Sequence, residues 1–191
     1  MFGRVVTVWG YHVSQRNSEY SRVEHDEYNT PPWVIETLAP HIPQRVTKAF
    51  DPACGAGNIV RSLNSPHCGS SVRINAYGKD LQRDDYDYLK DSSWHEAIIT
   101  NPPFGLAEQF IAHALEHSTW VAMLLRCDYH HAQTRKYLFE LCSEFSKVVV
   151  LTKRIVWIER TDGKKAAPSF NHSWFIWDAV NSSPPTIVWA P

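Results

Sequence analysis

Val46-Thr47-Lys48-Ala49-Phe50-Asp51-Pro52-Ala53-Cys54-Gly55-Ala56-Gly57-Asn58-Ile59 reads as a strand, a glycine-rich turn and the start of a helix. The first five residues have strand content, and Ile59, Val60 and Leu63 begin an apolar helical side. Glycines let a backbone turn tightly and approach a ligand closely. The spacing is Gly-x-Gly with no third glycine, so it does not match a dinucleotide fingerprint. No Lys-Ser/Thr follows, which excludes a phosphate-cradling P-loop. Asp51 leads the turn, and a carboxylate there repels phosphate but attracts an ammonium or sulfonium group. The ligand implied is a cationic nucleoside with an amino-acid tail.

A second stretch, Ile98-Ile99-Thr100-Asn101-Pro102-Pro103-Phe104, reads as a buried strand stopped by a rigid polar turn. Ile98 and Ile99 suit a covered sheet. The two prolines cannot donate to a ladder, so the strand ends before them. Asn101 then stands at the carboxyl end of a strand, where open α/β sheets place ligands. An exocyclic amine has its lone pair delocalised into its ring. Two acceptors, the Asn101 side-chain oxygen and the Pro102 carbonyl, can grip the amine hydrogens and localise that pair, while the Phe104 ring stacks on the base.

Between these stretches, Val72 to Tyr77 alternates as a second strand and runs into Gly78-Lys79-Asp80-Leu81. Asp80 lies 23 residues beyond Gly57 (80 − 57), the interval at which an acid binds ribose hydroxyls. Asp87, next to Tyr88 and Leu89, is the expected adenine contact. Upstream, Tyr28-Asn29-Thr30-Pro31-Pro32-Trp33 looks like a helix start with Thr30 as cap and Pro31 in the first turn.

Further along, a helix is expected over Ala107 to His117, a buried strand over Trp120 to Leu125, and a helix from His130 through Leu138 and Leu141. One long, bent strand follows over Val148–Leu151 and Ile155–Ile158. A basic loop, Thr161–Lys165, then leads to a last strand, Ser169–Trp177, and an extended tail from Ser183. Val5–Trp9 reads as a short strand and Ser14–Arg22 as a polar loop. His113 and His117 are spaced for a shared metal, but no third ligand or acidic partner supports one, so no metal is expected.

The 191 residues are 43% apolar and 13% aromatic, enough for one domain spanning 1–191, with 1–25 the hardest part to read. No run is long enough for a membrane span, and there is no signal-peptide pattern. Cys54, Cys68, Cys127 and Cys142 lack metal or redox spacing and read as free thiols of a reducing cytoplasm. Residues 1–125 carry 10 basic and 14 acidic side chains, a net of −4, whereas residues 126–165 carry 9 and 5, a net of +4. That basic stretch suits a phosphate backbone.

The ordered set Thr30-Pro31-Pro32, Asp51-Pro52-x-x-Gly55-x-Gly57, Gly78-x-Asp80 and Asn101-Pro102-Pro103-Phe104 resembles the S-adenosylmethionine-dependent amino-methyltransferases of DNA, over about residues 27–178. The resemblance implies a Rossmann-like class I α/β fold. Its sheet would have seven mostly parallel strands with an antiparallel strand at or near the edge, and helices on both faces. It implies S-adenosylmethionine as cofactor. Thr30 and Pro31 would touch its methionine end, and Asp51, Gly55 and Gly57 its amino-acid portion. Asp80 would hold the ribose and Asp87 would lie by the adenine, with Tyr28, Pro52, Ala53, Asn58, Leu81 and Asn101 as further contacts. Asn101, Pro102, Pro103 and Phe104 would form the catalytic turn, acting on an adenine N6 amine of duplex or single-stranded DNA flipped from its stack.

RNA bases, cytosine N4 and a protein glutamine amide are alternatives of the same chemistry, and a non-catalytic subunit is another. Only the Cys127–His131 turn and the Arg154–Pro168 segment are left to read DNA, which implies short or relaxed specificity. A cytoplasmic enzyme of bacterial or phage origin is expected, as a monomer or homodimer.

Overall fold

The computed structural model describes residues 29–71, 73–157, 170–181 and 183–190. The expected Val5–Trp9 strand, the Ser14–Arg22 loop, Tyr28 and the Thr161–Lys165 loop lie outside them.

Seven strands form one sheet in the order β2-β1-β3-β4-β6-β5-β7. They are β1 Lys48–Asp51, β2 Asn75–Gly78, β3 Ile98–Thr100, β4 Trp120–Arg126, β5 Phe145–Val150, β6 His172–Asp178 and β7 Thr186–Trp189. The β1–β2, β1–β3, β3–β4 and β5–β7 pairings are parallel. β6 runs antiparallel to both β4 and β5. The antiparallel strand therefore stands third from one margin, and the tail expected to be merely extended supplies the edge strand β7.

β4 shows why both faces must be covered. Its first six residues are buried, an uninterrupted apolar run of the kind a doubly covered sheet requires. Trp120, Ala122 and Leu124 join the core under α1 (Pro32–Leu38) and α2 (Asn58–Asn64). Val121, Met123 and Leu125 alternate to the other face, beneath Phe110, Ile111 and Ala114 of α4 (Ala107–His117). Helices thus lie on both faces, as the resemblance implies. Trp174 of β6 ties the first layer down by donating its indole N–H to the Val34 carbonyl of α1 at 3.0 Å. Trp174→Phe removes one of the donors to that carbonyl, which also accepts from the Thr37 hydroxyl at 2.6 Å, and is expected to lower stability by about 0.5–1.5 kcal/mol, read from the urea midpoint. An unchanged midpoint would show that the Thr37 hydroxyl alone satisfies the carbonyl.

Three local expectations are corrected. Thr30 does not cap α1: Pro31 occupies that position with extended backbone and no side-chain bond, and Pro32 takes the first helical site. A residue before proline is pushed toward extended geometry, so Pro32 moves the start by one. The expected 130–141 helix is two short 3₁₀ turns, Tyr129–His131 and Gln133–Leu138. Only Leu138 is buried among those nine residues, so there is no apolar stripe to dock an α-helix. Ile155 to Trp157 is irregular and does not extend β5, because both partners run out at that end: the register stops at Val150, opposite Ser173 of β6 and Trp189 of β7.

Candidate active site

Strand β1 ends at Asp51, and the chain then makes the Pro52–Gly57 turn into α2. Gly55 and Gly57 have φ of 47° and 81°, the left-handed region where a side chain is strained. β2 is stitched onto this turn: Lys79 N–H donates to the Asp51 carbonyl at 3.0 Å, and Cys54 N–H to the Lys79 carbonyl at 3.2 Å. The two chains approach so closely that a Cβ on Gly78 would stand 2.7 Å from Cys54 Cβ and 3.0 Å from the Asp51 carbonyl oxygen. Gly78→Ala is therefore expected to cost about 1–3 kcal/mol. Thermal unfolding checks this, and a wild-type midpoint would remove the close-approach argument.

That stitch brings Asp80 against the glycine turn. One Asp80 oxygen accepts from Gly55 N–H at 2.9 Å, and the other accepts from Gln82 N–H at 3.0 Å, capping α3 (Leu81–Asp84). Asp80 thus positions the turn as well as facing the cavity, a role that spacing alone did not suggest. Asp87 caps the next short turn through Leu89 N–H at 3.2 Å and pairs with Lys90 at 2.8 Å. The Lys90 ammonium holds the Asp87 carboxyl below the usual carboxylate range.

Asp51 is 2% exposed, and its Oδ2 has no hydrogen-bond partner among the described residues. Burial pushes its pKa up to about 7, moderated by the Thr100 hydroxyl and the Ala53 N–H. An orphaned buried carboxylate oxygen is costly, and a cation entering the cavity is what would satisfy it.

Thr30, Asp51, Pro52, Ala53, Gly55, Asn58, Asp80, Leu81, Asp87, Asn101 and Pro103 line one cavity of about 590 Å³, within the usual range for a drug-sized ligand. Pro31, Gly57, Pro102 and Phe104 do not line it. Gly57 caps α2 behind the turn, Pro102 is buried, and Phe104 is exposed.

Sequence reasoning missed Arg83 and Tyr86 in the cavity wall. Arg83 donates to the Gly55 carbonyl at 3.2 Å and to Cys54 Sγ at 3.2 Å. Its place three residues past Asp80, on the first turn of α3, was the available signal. His172, the first residue of β6, was also missed. It is buried, its ring centroid lies 6.4 Å from that of Phe104, and Trp157 meets it edge-on at 5.2 Å. Burial holds its pKa down to about 4, so the imidazole beside the Phe104 turn is neutral at pH 7.

The basic stretch is partly neutralised within the fold. Arg126 pairs with Asp128, Arg135 with Glu108, and Lys136 with Glu140. Lys153 lies over the Trp33 ring at 5.0 Å, and Arg154 is exposed.

The modification subunit described for a type I restriction enzyme of Vibrio vulnificus YJ016 superposes with a TM-score of 0.54 at 17% identity. The match covers 85% of this chain and 47% of that one. The fold is that of the class I methyltransferases. The chain spans about half the length of that subunit. The 23S rRNA methyltransferase ErmE is similar at TM-score 0.49 and 14% identity, covering 80% and 69% of the two chains. A structure described as an RNA methyltransferase of Pyrococcus horikoshii is similar at 0.48 and 17%, covering 82% and 88%. No family model matches the sequence, and no curated protein matches it. Among the described residues no helix is long and apolar enough to cross a membrane.

Proposed function

We propose that this chain is an S-adenosylmethionine-dependent methyltransferase acting on the N6 amine of adenine in DNA, duplex or single-stranded. One observation carries the reading: Asn101, at the end of β3, lines the same cavity as Asp51, Asp80 and Asp87. A group that can accept from an amine and the acids that suit a cationic nucleoside therefore share one space.

The residues present fit that cofactor. Asp51, with an orphaned oxygen in the cavity wall, would take the ammonium of the methionine end. The Gly55 turn would lie along that end, Asp80 would accept from the ribose hydroxyls, and Asp87 would accept from the adenine amine. Thr30, Pro52, Ala53, Asn58 and Leu81 supply walls of the same cavity. Pro31 and Gly57 belong to this proposal as chain neighbours of wall residues, and Tyr28 as an expected contact from the sequence. The bound cofactor supplies an electrophilic methyl on a sulfonium.

Asn101 Oδ1 and the Pro102 carbonyl accept the two amine hydrogens, so the nitrogen lone pair is directed at the methyl carbon. The amine would be methylated as the cofactor sulfonium becomes a thioether, and this chain's part would be to hold the amine at Asn101 and Pro102 while its spare proton leaves to solvent. Phe104, next along the turn from the cavity wall, would stack on the flipped base, and Pro103 would hold the turn rigid. Phosphate contacts position a nucleic acid while base contacts specify it. With Arg154 exposed and the Cys127–His131 turn at the end of β4, specificity is expected to be short or relaxed.

The test uses purified protein with radiolabelled S-adenosylmethionine and separate duplex DNA, single-stranded DNA and structured RNA, followed by nucleoside analysis. Label in N6-methyladenine from DNA supports the reading. Label confined to RNA replaces DNA as substrate, and label in neither, despite cofactor binding, overturns the nucleic-acid assignment.

A further inference from the structure

Helix α4 carries His113-Ala114-Leu115-Glu116-His117 in its last turns. Residues three and four apart share a helix face. One ligand atom from each of His113, Glu116 and His117 lies within 4.8 Å of the others. The i, i+4 spacing offers only the histidine pair, and the fold brings Glu116 beside it as the acidic partner.

The hydrogen bonds of the two rings decide what they can offer. His113 Nε2 contacts the Asp91 carbonyl oxygen at 2.7 Å, and His117 Nδ1 contacts the His113 carbonyl oxygen at 2.9 Å. A carbonyl only accepts, so each of these nitrogens carries the hydrogen. In the neutral rings His113 Nδ1 and His117 Nε2 therefore bear lone pairs. Histidines that hold metals share this arrangement, in which the second nitrogen donates to a backbone carbonyl and thereby sets the tautomer and the ring's direction.

We propose that His113, Glu116 and His117 bind a first-row divalent metal ion of the zinc class on the outer side of α4. Two imidazoles and a carboxylate are a donor set that zinc takes, with water in the fourth position. Ligand atoms around a tetrahedral zinc stand roughly 3.4 Å apart for bonds of about 2.0–2.1 Å. Glu116 is exposed and both histidines are half-exposed, so small side-chain rotations close the set.

The backbone beneath the site is already tied down. His95 N–H donates to the His117 carbonyl at 2.9 Å, and the Tyr88 ring meets His113 edge-on at 4.8 Å. The site is separate from the methyl-transfer proposal and stands whether or not that proposal holds.

The test is a zinc titration by calorimetry on the full chain, repeated with His113→Gln, His117→Gln and Glu116→Gln, alongside cobalt(II) absorption. Wild type is expected to bind one zinc equivalent that both histidine variants lose and that Glu116→Gln weakens at least about tenfold. The cobalt visible bands should vanish in step. Circular dichroism of the metal-free proteins checks folding. If His113→Gln misfolds because it loses the Asp91 contact, His117→Gln carries the comparison. Equal binding by wild type and the folded variants, or no binding by wild type, overturns the site.

Discussion

Asn101→Ala is expected to lower methyl transfer by roughly 10²–10³-fold, the usual cost of removing one preorganised acceptor or donor at a reacting centre. S-adenosylmethionine affinity should change by only a few fold. The split follows from where Asn101 stands. It is the first residue beyond β3, whose three residues are all buried between β1 and β4, so the strand cannot shift to replace a lost side chain. It lines the cavity beside Pro103, at a distance in sequence from the acids expected to hold the cofactor. Deleting the amide should therefore spare binding and remove the grip on the amine. Single-turnover transfer at saturating cofactor, with calorimetry on the same sample, reads both quantities. Full activity in the variant would remove Asn101 from the chemistry. Loss of cofactor binding in parallel with activity would make it a wall residue.

Asp51→Asn should separate stability from binding. Burial raises the Asp51 pKa from 3.8 to about 7 in the fold. The fold thus favours the protonated form. The sign is that of any raised acid: its contribution is fully present below about pH 4 and is lost as pH rises through about 7. Three units at about 1.36 kcal/mol each set an upper bound of ~4 kcal/mol for the cost of the ionised carboxylate above pH 7. Asparagine keeps an oxygen for the Ala53 N–H, 3.3 Å from Asp51 Oδ1, and carries no charge. The ligand-free variant should therefore melt higher than wild type at pH 8, with the gain shrinking toward pH 4.

Cofactor binding should move the other way. The ionised carboxylate is the partner for an ammonium, so the variant should bind about 10–100-fold more weakly at pH 8. Wild-type affinity should rise with pH up to about 7, with a proton released on binding below that value. Calorimetry in two buffers of different ionisation enthalpy counts the proton. A variant that binds like wild type would show that Asp51 does not face the cation, and one that melts lower at pH 8 would show that burial does not penalise its ionised carboxylate.

The sequence determined much about this protein because its strongest signals are local. A strand running into Gly-x-Gly and then a helix can be read from consecutive residues, since left-handed backbone and proline stops act within a few positions. So can β3 ending at Asn101-Pro102-Pro103, and α4, whose expected limits Ala107 and His117 are those found. Through those elements the fold class was legible.

The tertiary structure decided what depends on contacts distant in the chain. Whether residues 129–141 coil as an α-helix rested on docking a stripe that only Leu138 and Phe139 could supply. Whether Ile155–Trp157 paired rested on how far the partner strands β6 and β7 reach, and both ladders end at Val150. The start of α1 shifted by one residue because Pro32 constrains Pro31. The acids were legible as types, but their states were not. Asp51 is orphaned and near neutral because β1 ends inside the molecule. Asp80 is spent on Gly55 because β2 is stitched to the turn across Gly78. Burial and cross-strand approach are properties of the packed chain, and no spacing along the sequence encodes them singly.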